Sequence, residues 1–167
     1  VSFSLETNGI MVKGCFQYTD DYQENIFSFA NMVRTRDGGT HEMGAKQAFT
    51  KIFNEYARKN GLLKEKEKGF EGNDVREGLC LVINLTIPEQ FLQFEGQTKE
   101  KLGTPEAKTA TDNVVSEYLR YFLEENKEIA NTLVRKMIKA ANARNAARRA
   151  REEARKGKGK NKTERVL

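Results

Sequence analysis

Residues 93–103, QFEGQTKEKLG, place Gln97, Lys99 and Lys101 in a short stretch bounded by Gly96 and Gly103. A lysine ammonium is a compact point charge on a long stem, suited to a terminal phosphate. A glutamine amide adds hydrogen-bond donors without adding charge. Strand-like alternation puts Lys99 and Lys101 on the same side. The chemistry this suggests is the binding of an anion by a mobile loop. Ordinary surface loops share the composition, so residue types alone leave both readings open.

Elsewhere chemistry is scarce. The single histidine, His41, stands at a predicted helix start, where a structural or solvated role is the ordinary one. No Ser/His/Asp or Cys/His set assembles around it. Asp74, Arg76 and Glu77 read as ion-pair partners of one another or of neighbours. Gly69, Gly72 and Gly78 do not have phosphate-loop spacing, and there is no HExxH, Walker or CxxC motif. Cys15 and Cys80 fall in apparent strands and read as buried thiols of a reducing, cytoplasmic compartment. No apolar run approaches the ~18–20 residues of a membrane span. The chain opens mid-strand in pattern and without methionine, which reads as a piece of a larger protein. A complete enzyme is not expected within these 167 residues.

The elements that must position the loop follow from periodicity. Asn8 and Gly9 separate two strand-like runs, a hairpin signal. Val12, Phe16 and Tyr18 share one face of the second run. Residues 24–33, ENIFSFANMV, read as a third strand. Residues 40–61 carry a helical stripe of Ala45, Ala48, Phe49, Ile52, Phe53, Tyr56 and Ala57, with Thr40 as N-cap and Gly61 as stop. Residues 62–74 read as a charged surface loop. A fourth strand covers 79–87 and ends at Pro88. A second helix begins at Thr104 and Pro105 and buries Ala107, Val114, Val115, Tyr118, Phe122 and Leu123. A third begins near Lys127 with Ile129, Leu133, Met137 and Ile138 on one side, then fades to alanines. The predicted order β-β-β-α-β-α-α is an α/β two-layer sandwich with helices on one sheet face. The expected organisation is a domain over 1–126, a long helix leaving it over 127–156, and a flexible basic linker over 157–167.

The net charge of +5 hides a division. Residues 135–167 hold 13 lysines and arginines against three acids, whereas the first 134 residues hold 16 bases and 21 acids. A basic tail on an acidic body suggests a polyanion nearby. A solvated Ala/Arg/Glu-rich helix without a partner accounts for the same composition.

Four segments, in order and over nearly the whole chain, resemble the transducer domain of the B-type subunit of bacterial type IIA DNA topoisomerases. They are SFANMVRTRDGGTHEMGAKQAFTKIFNEYARK, GNDVREGLCLVINLTIP, QFEGQTKEKLGTPEAK and IKAANARNAARRARE. LLKEKEKGFEGNDVREGL and LQFEGQTKEKLG are more like the topoisomerase IV branch than the gyrase branch. The resemblance implies a βββαβα sandwich related to a ribosomal-protein domain, with a left-handed βαβ crossover. It implies that Gln97, Thr98 and Lys99 form the family's QTK loop, with Gln97 and Lys99 reaching the γ-phosphate of ATP and Lys99 stabilising the transition state. The Mg²⁺ ligands and most of the ATP site would lie outside this chain, so the piece alone would be inactive. Implied partners are the ATP-binding and cleavage domains of the same polypeptide, a second B-type protomer in an ATP-dependent homodimer, the A-type protomers of an A2B2 assembly, and double-stranded DNA. DNA would pass between two transducers, which makes Lys46 and Lys51 candidate contacts; as readily, they are the solvated face of their helix. The competing reading is a ribosomal-protein-like module that binds nucleic acid through its basic C-terminal helix.

Overall fold

Asn8 and Gly9 both take positive φ, 51° and 81°, and fold β1 (Ser2–Thr7) back onto β2 (Ile10–Tyr18). A two-residue turn of this hand matches the twist of the strands it joins. The structure is a computed structural model that describes the backbone of residues 1–166 and the side chains of residues 1–157. β3 (Asn25–Ala30) runs parallel to β5 (Leu79–Thr86), and β5 pairs antiparallel with β2. With the short β4 (Val33–Arg34), the five-stranded sheet has the order β1-β2-β5-β3-β4.

The single strand expected over 24–33 is in fact two. Asn31 and Met32 take φ of 49° and 68° and return the chain, so that Val33 pairs with Ala30. Asparagine tolerates this region. Its amide also clasps Ile87, donating to its carbonyl at 3.0 Å and accepting from its N–H at 2.7 Å.

Helices α1 (Thr40–Lys59) and α3 (Pro105–Glu125) cover one sheet face. The α1 stripe is buried as its spacing predicts, from Ala45 to Ala57. Against it lie Val12 and Phe16 of β2 and Leu81, Ile83 and Leu85 of β5, all on one side of the pleat. Phe16 sets its ring edge-on to Phe49 at 5.3 Å and to Phe122 at 5.6 Å. The two helices meet at backbone distance, because a Cβ on Gly44 would lie 2.4 Å from the Lys108 carbonyl oxygen. In α3, Leu119 is fully buried. Tyr118 and Phe122, expected there, are only partly buried and stack on each other at 6.3 Å.

Among the described residues the other sheet face carries no helical layer, and this corrects the reading of the cysteines. Cys15 is exposed and Cys80 half-buried, because both alternate onto the uncovered side. The charged stretch after α1 is likewise anchored. Leu63 and Phe70 are buried, Asn54 holds both backbone groups of Phe70, and Asp74 sits in the short helix α2 (Gly72–Arg76).

Helix α4 (Lys127–Val166) begins as part of the body. Its buried side is Ala130, Val134, Met137 and Ala141, an unbroken helical repeat, and not the side of Ile129, which is 52% exposed. Leu133 and Ile138 flank it. Contact with the body persists to Arg144, whose guanidinium reaches Asp74 at 3.0 Å and Glu71 at 3.1 Å. From residue 146 to residue 157 the described side chains are exposed. The backbone then runs helically through Gly157 and Gly159 to Val166. An isolated glycine costs a helix about 1 kcal/mol, which alone does not end it. Leu167 lies outside the described residues. Among the described residues no helix is long and apolar enough to cross a membrane.

Candidate functional site

After β5, a single 3-10 turn (Glu89–Phe91) delivers the chain to a small hairpin of β6 (Phe94–Glu95) and β7 (Lys101–Leu102). Phe94 lies opposite Leu102 and Glu95 opposite Lys101. Residues 96–100 form the tip, and Gln97, Thr98 and Lys99 are exposed on it. Lys99 takes φ of 56°, which interrupts the strand alternation. Lys101 therefore does not act as its twin: its ammonium pairs with Glu95 at 3.2 Å across the stem. Lys99 makes no ion pair among the described residues.

The tip is exposed but its base is fixed. The Leu102 N–H donates to the Gly38 carbonyl at 3.0 Å, and the Asp37 N–H donates to the Glu100 carbonyl at 2.9 Å. Gly39 bridges Leu102 with φ of 139°, and a Cβ there would stand 2.3 Å from the Leu102 carbonyl oxygen, so only glycine fits. Thr104, fully buried, donates its hydroxyl to the Phe91 carbonyl at 2.9 Å and accepts the Gln93 N–H at 3.0 Å. The Thr40 hydroxyl donates to the Thr104 carbonyl at 2.6 Å. Thr40 is therefore not the N-cap its type suggests. Gly39 occupies that place without a side-chain bond, because the hydroxyl is committed to the hairpin base.

Beneath this junction lies a polar cluster. The Thr35 hydroxyl donates to the Ser28 carbonyl at 2.9 Å, and the Ser28 hydroxyl donates to the Glu42 carboxylate at 3.0 Å. Thr35 Oγ1 is hydrogen-bonded to the Ser28 hydroxyl at 2.8 Å and to His41 Nε2 at 3.0 Å. His41 is fully buried, and its Nδ1 is without a hydrogen-bond partner among the described residues. Burial holds its pKa down to about 4 from the ordinary 6.5. The sign follows: between pH 6.5 and 4 the unfolded chain takes up a proton that the folded chain refuses. Stability should therefore fall as the pH is lowered through this window, by about 3 kcal/mol in total, and level off below it. Urea midpoints measured across the window should show this slope and lose it in His41→Gln; an unchanged slope in that variant would assign it to another group.

The DNA gyrase B family model matches residues 1–153. The chain belongs to the DNA gyrase B family. Over its full length it is 62% identical to the B-type subunit of DNA topoisomerase 4 from Bacillus subtilis and 58% identical to its counterpart from Enterococcus faecalis, and it spans 26% and 24% of those proteins. The structure of the 43K ATPase domain of Thermus thermophilus gyrase B matches with a TM-score of 0.83 at 43% identity, over 91% of this chain and 40% of that one. The topoisomerase IV ATP binding domain of Francisella tularensis matches with a TM-score of 0.74 at 28% identity, over 86% of this chain and 39% of that one.

In this gyrase B-family chain, Lys46 and Lys51 come together in a groove of about 650 Å³ that also presents Arg76, Lys108 and exposed Met43. Each already has an acid: Lys46 meets Glu42 at 3.4 Å and Lys51 meets Asp112 at 2.8 Å. The groove is therefore less cationic than its lysines suggest. Asp74 and Arg76 also find distant partners, Arg144 and Glu24. Among the described residues no group of three or more His, Cys, Asp or Glu could hold a metal ion. The role of residues 35–41 beneath the hairpin escapes sequence reasoning. The paired Gly38 and Gly39 just before a helix are the one local sign of it.

Proposed function

We propose that this chain is the transducer of the B-type subunit of a type IIA DNA topoisomerase, of the topoisomerase IV kind, and that Gln97 and Lys99 sense the γ-phosphate of ATP. The observation that carries the reading is an exposed ammonium at the tip of a hairpin whose base is bonded into the start of α1. ATP and Mg²⁺ are held by the preceding ATP-binding domain of the full-length protein, and ATP supplies the bond whose cleavage drives the cycle. Gln97 and Lys99 hold the hairpin against that domain while the terminal phosphate is present, and release it when the phosphate leaves. The body, to about residue 145, passes the change to the α4 stalk, which leads toward the cleavage domain. A second B-type protomer, the A-type protomers of an A2B2 assembly and cytoplasmic DNA complete the setting. In the full-length protein, a non-hydrolysable ATP analogue should slow amide exchange at residues 96–100 relative to ADP. Equal exchange with the two nucleotides would remove the basis of the reading.

Lys46, Lys51 and the exposed cations of the stalk, among them Arg148, Arg149 and Arg151, supply contacts to duplex DNA in the same proposal. Phosphate contacts of this kind are salt-dependent and independent of sequence. Retention of the chain on duplex DNA should fall with salt, and the slope should shrink more on removing residues 146–167 than in Lys46→Ala/Lys51→Ala, whose lysines are already paired. A slope indifferent to both changes would exclude these surfaces.

A further inference from the structure

We propose that the loop over residues 35–41 is the bracket that carries hairpin movement into helix α1, with His41 as its positioning residue. This rests on the phosphate-sensing reading and extends it from the exposed tip to the buried groups that set where the tip stands. The loop closes on itself at two places. The Gly38 N–H donates to the Thr35 carbonyl at 3.0 Å, and His41 Nε2 and Thr35 Oγ1 share a hydrogen bond at 3.0 Å. It is anchored inward to β3, because the Thr35 N–H and hydroxyl both donate to the Ser28 carbonyl, at 2.8 and 2.9 Å. Its outer rim holds the hairpin through Asp37 and Gly38, and Thr40 holds Thr104 behind it. Its C-terminal end is the first turn of α1, where Glu42 touches both Ser28 and Lys46. A shift of Glu100 or Leu102 must therefore move the bracket or break it.

The chemistry of His41 marks it as more than filler. Its buried Nδ1 has no hydrogen-bond partner among the described residues, an arrangement that costs stability and that an aliphatic side chain would avoid. What the imidazole supplies in return is the bond to Thr35 that joins the two ends of the loop. Misplacing a reactive group by about 1 Å can cost up to roughly 10²-fold in rate, so small bracket errors reach Lys99 as rate losses.

The test uses the full-length protein and reads kcat for ATP hydrolysis together with the Kd of a non-hydrolysable ATP analogue. His41→Leu and Thr35→Val should each lower kcat roughly 10-fold to 10²-fold with Kd changed less than about twofold. His41→Gln, whose amide can return a hydrogen-bonding group near the Nε2 position, should recover most of the rate. Ile52→Val, a core change elsewhere on α1, should lower the melting temperature and leave kcat alone. Full kcat in His41→Leu or Thr35→Val, alongside an inactive Lys99→Ala, would overturn the bracket and leave phosphate sensing standing. A rate in His41→Gln as low as in His41→Leu, or a kcat loss in Ile52→Val matching theirs, would also overturn it. Full kcat in Lys99→Ala would remove the sensing reading and the bracket with it.

Discussion

Lys99→Ala in the full-length protein should cut ATP hydrolysis by roughly 10²–10³-fold, the usual loss for one preorganised electrostatic partner of a transition state. The side chain is exposed at the hairpin tip and makes no ion pair among the described residues, so its charge is available to a ligand from outside the chain. Charge grows on the phosphoryl oxygens as the reaction proceeds, and a cation placed there helps the transition state more than the bound nucleotide. Nucleotide affinity should therefore fall only a few-fold, because the proposed function leaves the rest of the nucleotide to another domain. Lys99→Arg should also be poor, since a planar fork does not replace a point charge in a closed pocket. Lys101→Ala should be mild, because that ammonium already faces Glu95 on an exposed stem, a pair worth at most about 1 kcal/mol. Steady-state turnover and nucleotide affinity of the three variants decide the matter. Wild-type turnover in Lys99→Ala would reduce the hairpin to a surface turn.

Arg144→Ala is expected to destabilise the chain by about 3 kcal/mol, the lower end for breaking a buried ion pair. The Asp74 side chain is 4% exposed, and the Arg144 fork reaches it through Nε at 3.1 Å and Nη2 at 3.0 Å. Without the arginine, the carboxylate keeps only the Glu71 N–H, at 2.8 Å. The Arg144 side chain is itself 27% exposed, so water softens the loss. Glu71, at 61%, is the weaker partner, and its substitution should cost chiefly the capping of α2, about 1 kcal/mol. Because Arg144 is the last firm contact before α4 becomes solvent-exposed, its loss should also free the stalk. Urea midpoints give the first effect, and strand passage per ATP hydrolysed in the full-length protein gives the second. An unchanged midpoint would mean that water already solvates Asp74.

Much of this molecule is written in short-range pattern. The α1 stripe from Ala45 to Ala57, the strand that begins at Leu79, and the turn at Asn8 and Gly9 all appear where local pattern predicts them. Each depends on residues within a few positions of one another, and backbone geometry imposes those periods on any chain. The QTKEK stretch, likewise, is legible as an exposed cationic loop at the end of a core strand.

What needed the tertiary structure depends on which elements meet. Alternation separates Cys15 from Phe16, but only the placement of α1 and α3 decides that the cysteine side is the uncovered one. In α4, Ile129 and Ala130 are adjacent on the helix. Docking against the body buries the alanine and leaves the isoleucine out, because close packing there rewards shape over hydrophobicity. Asp74 and Arg144 lie 70 positions apart, and Thr40 and Thr104 lie 64 apart, so no local period links them. The same holds for the ground beneath Lys99: residue types alone announce its charge, but its stance comes from Gly38, Gly39 and the Thr35–His41 bond, which meet the hairpin only once the chain has folded across the sheet.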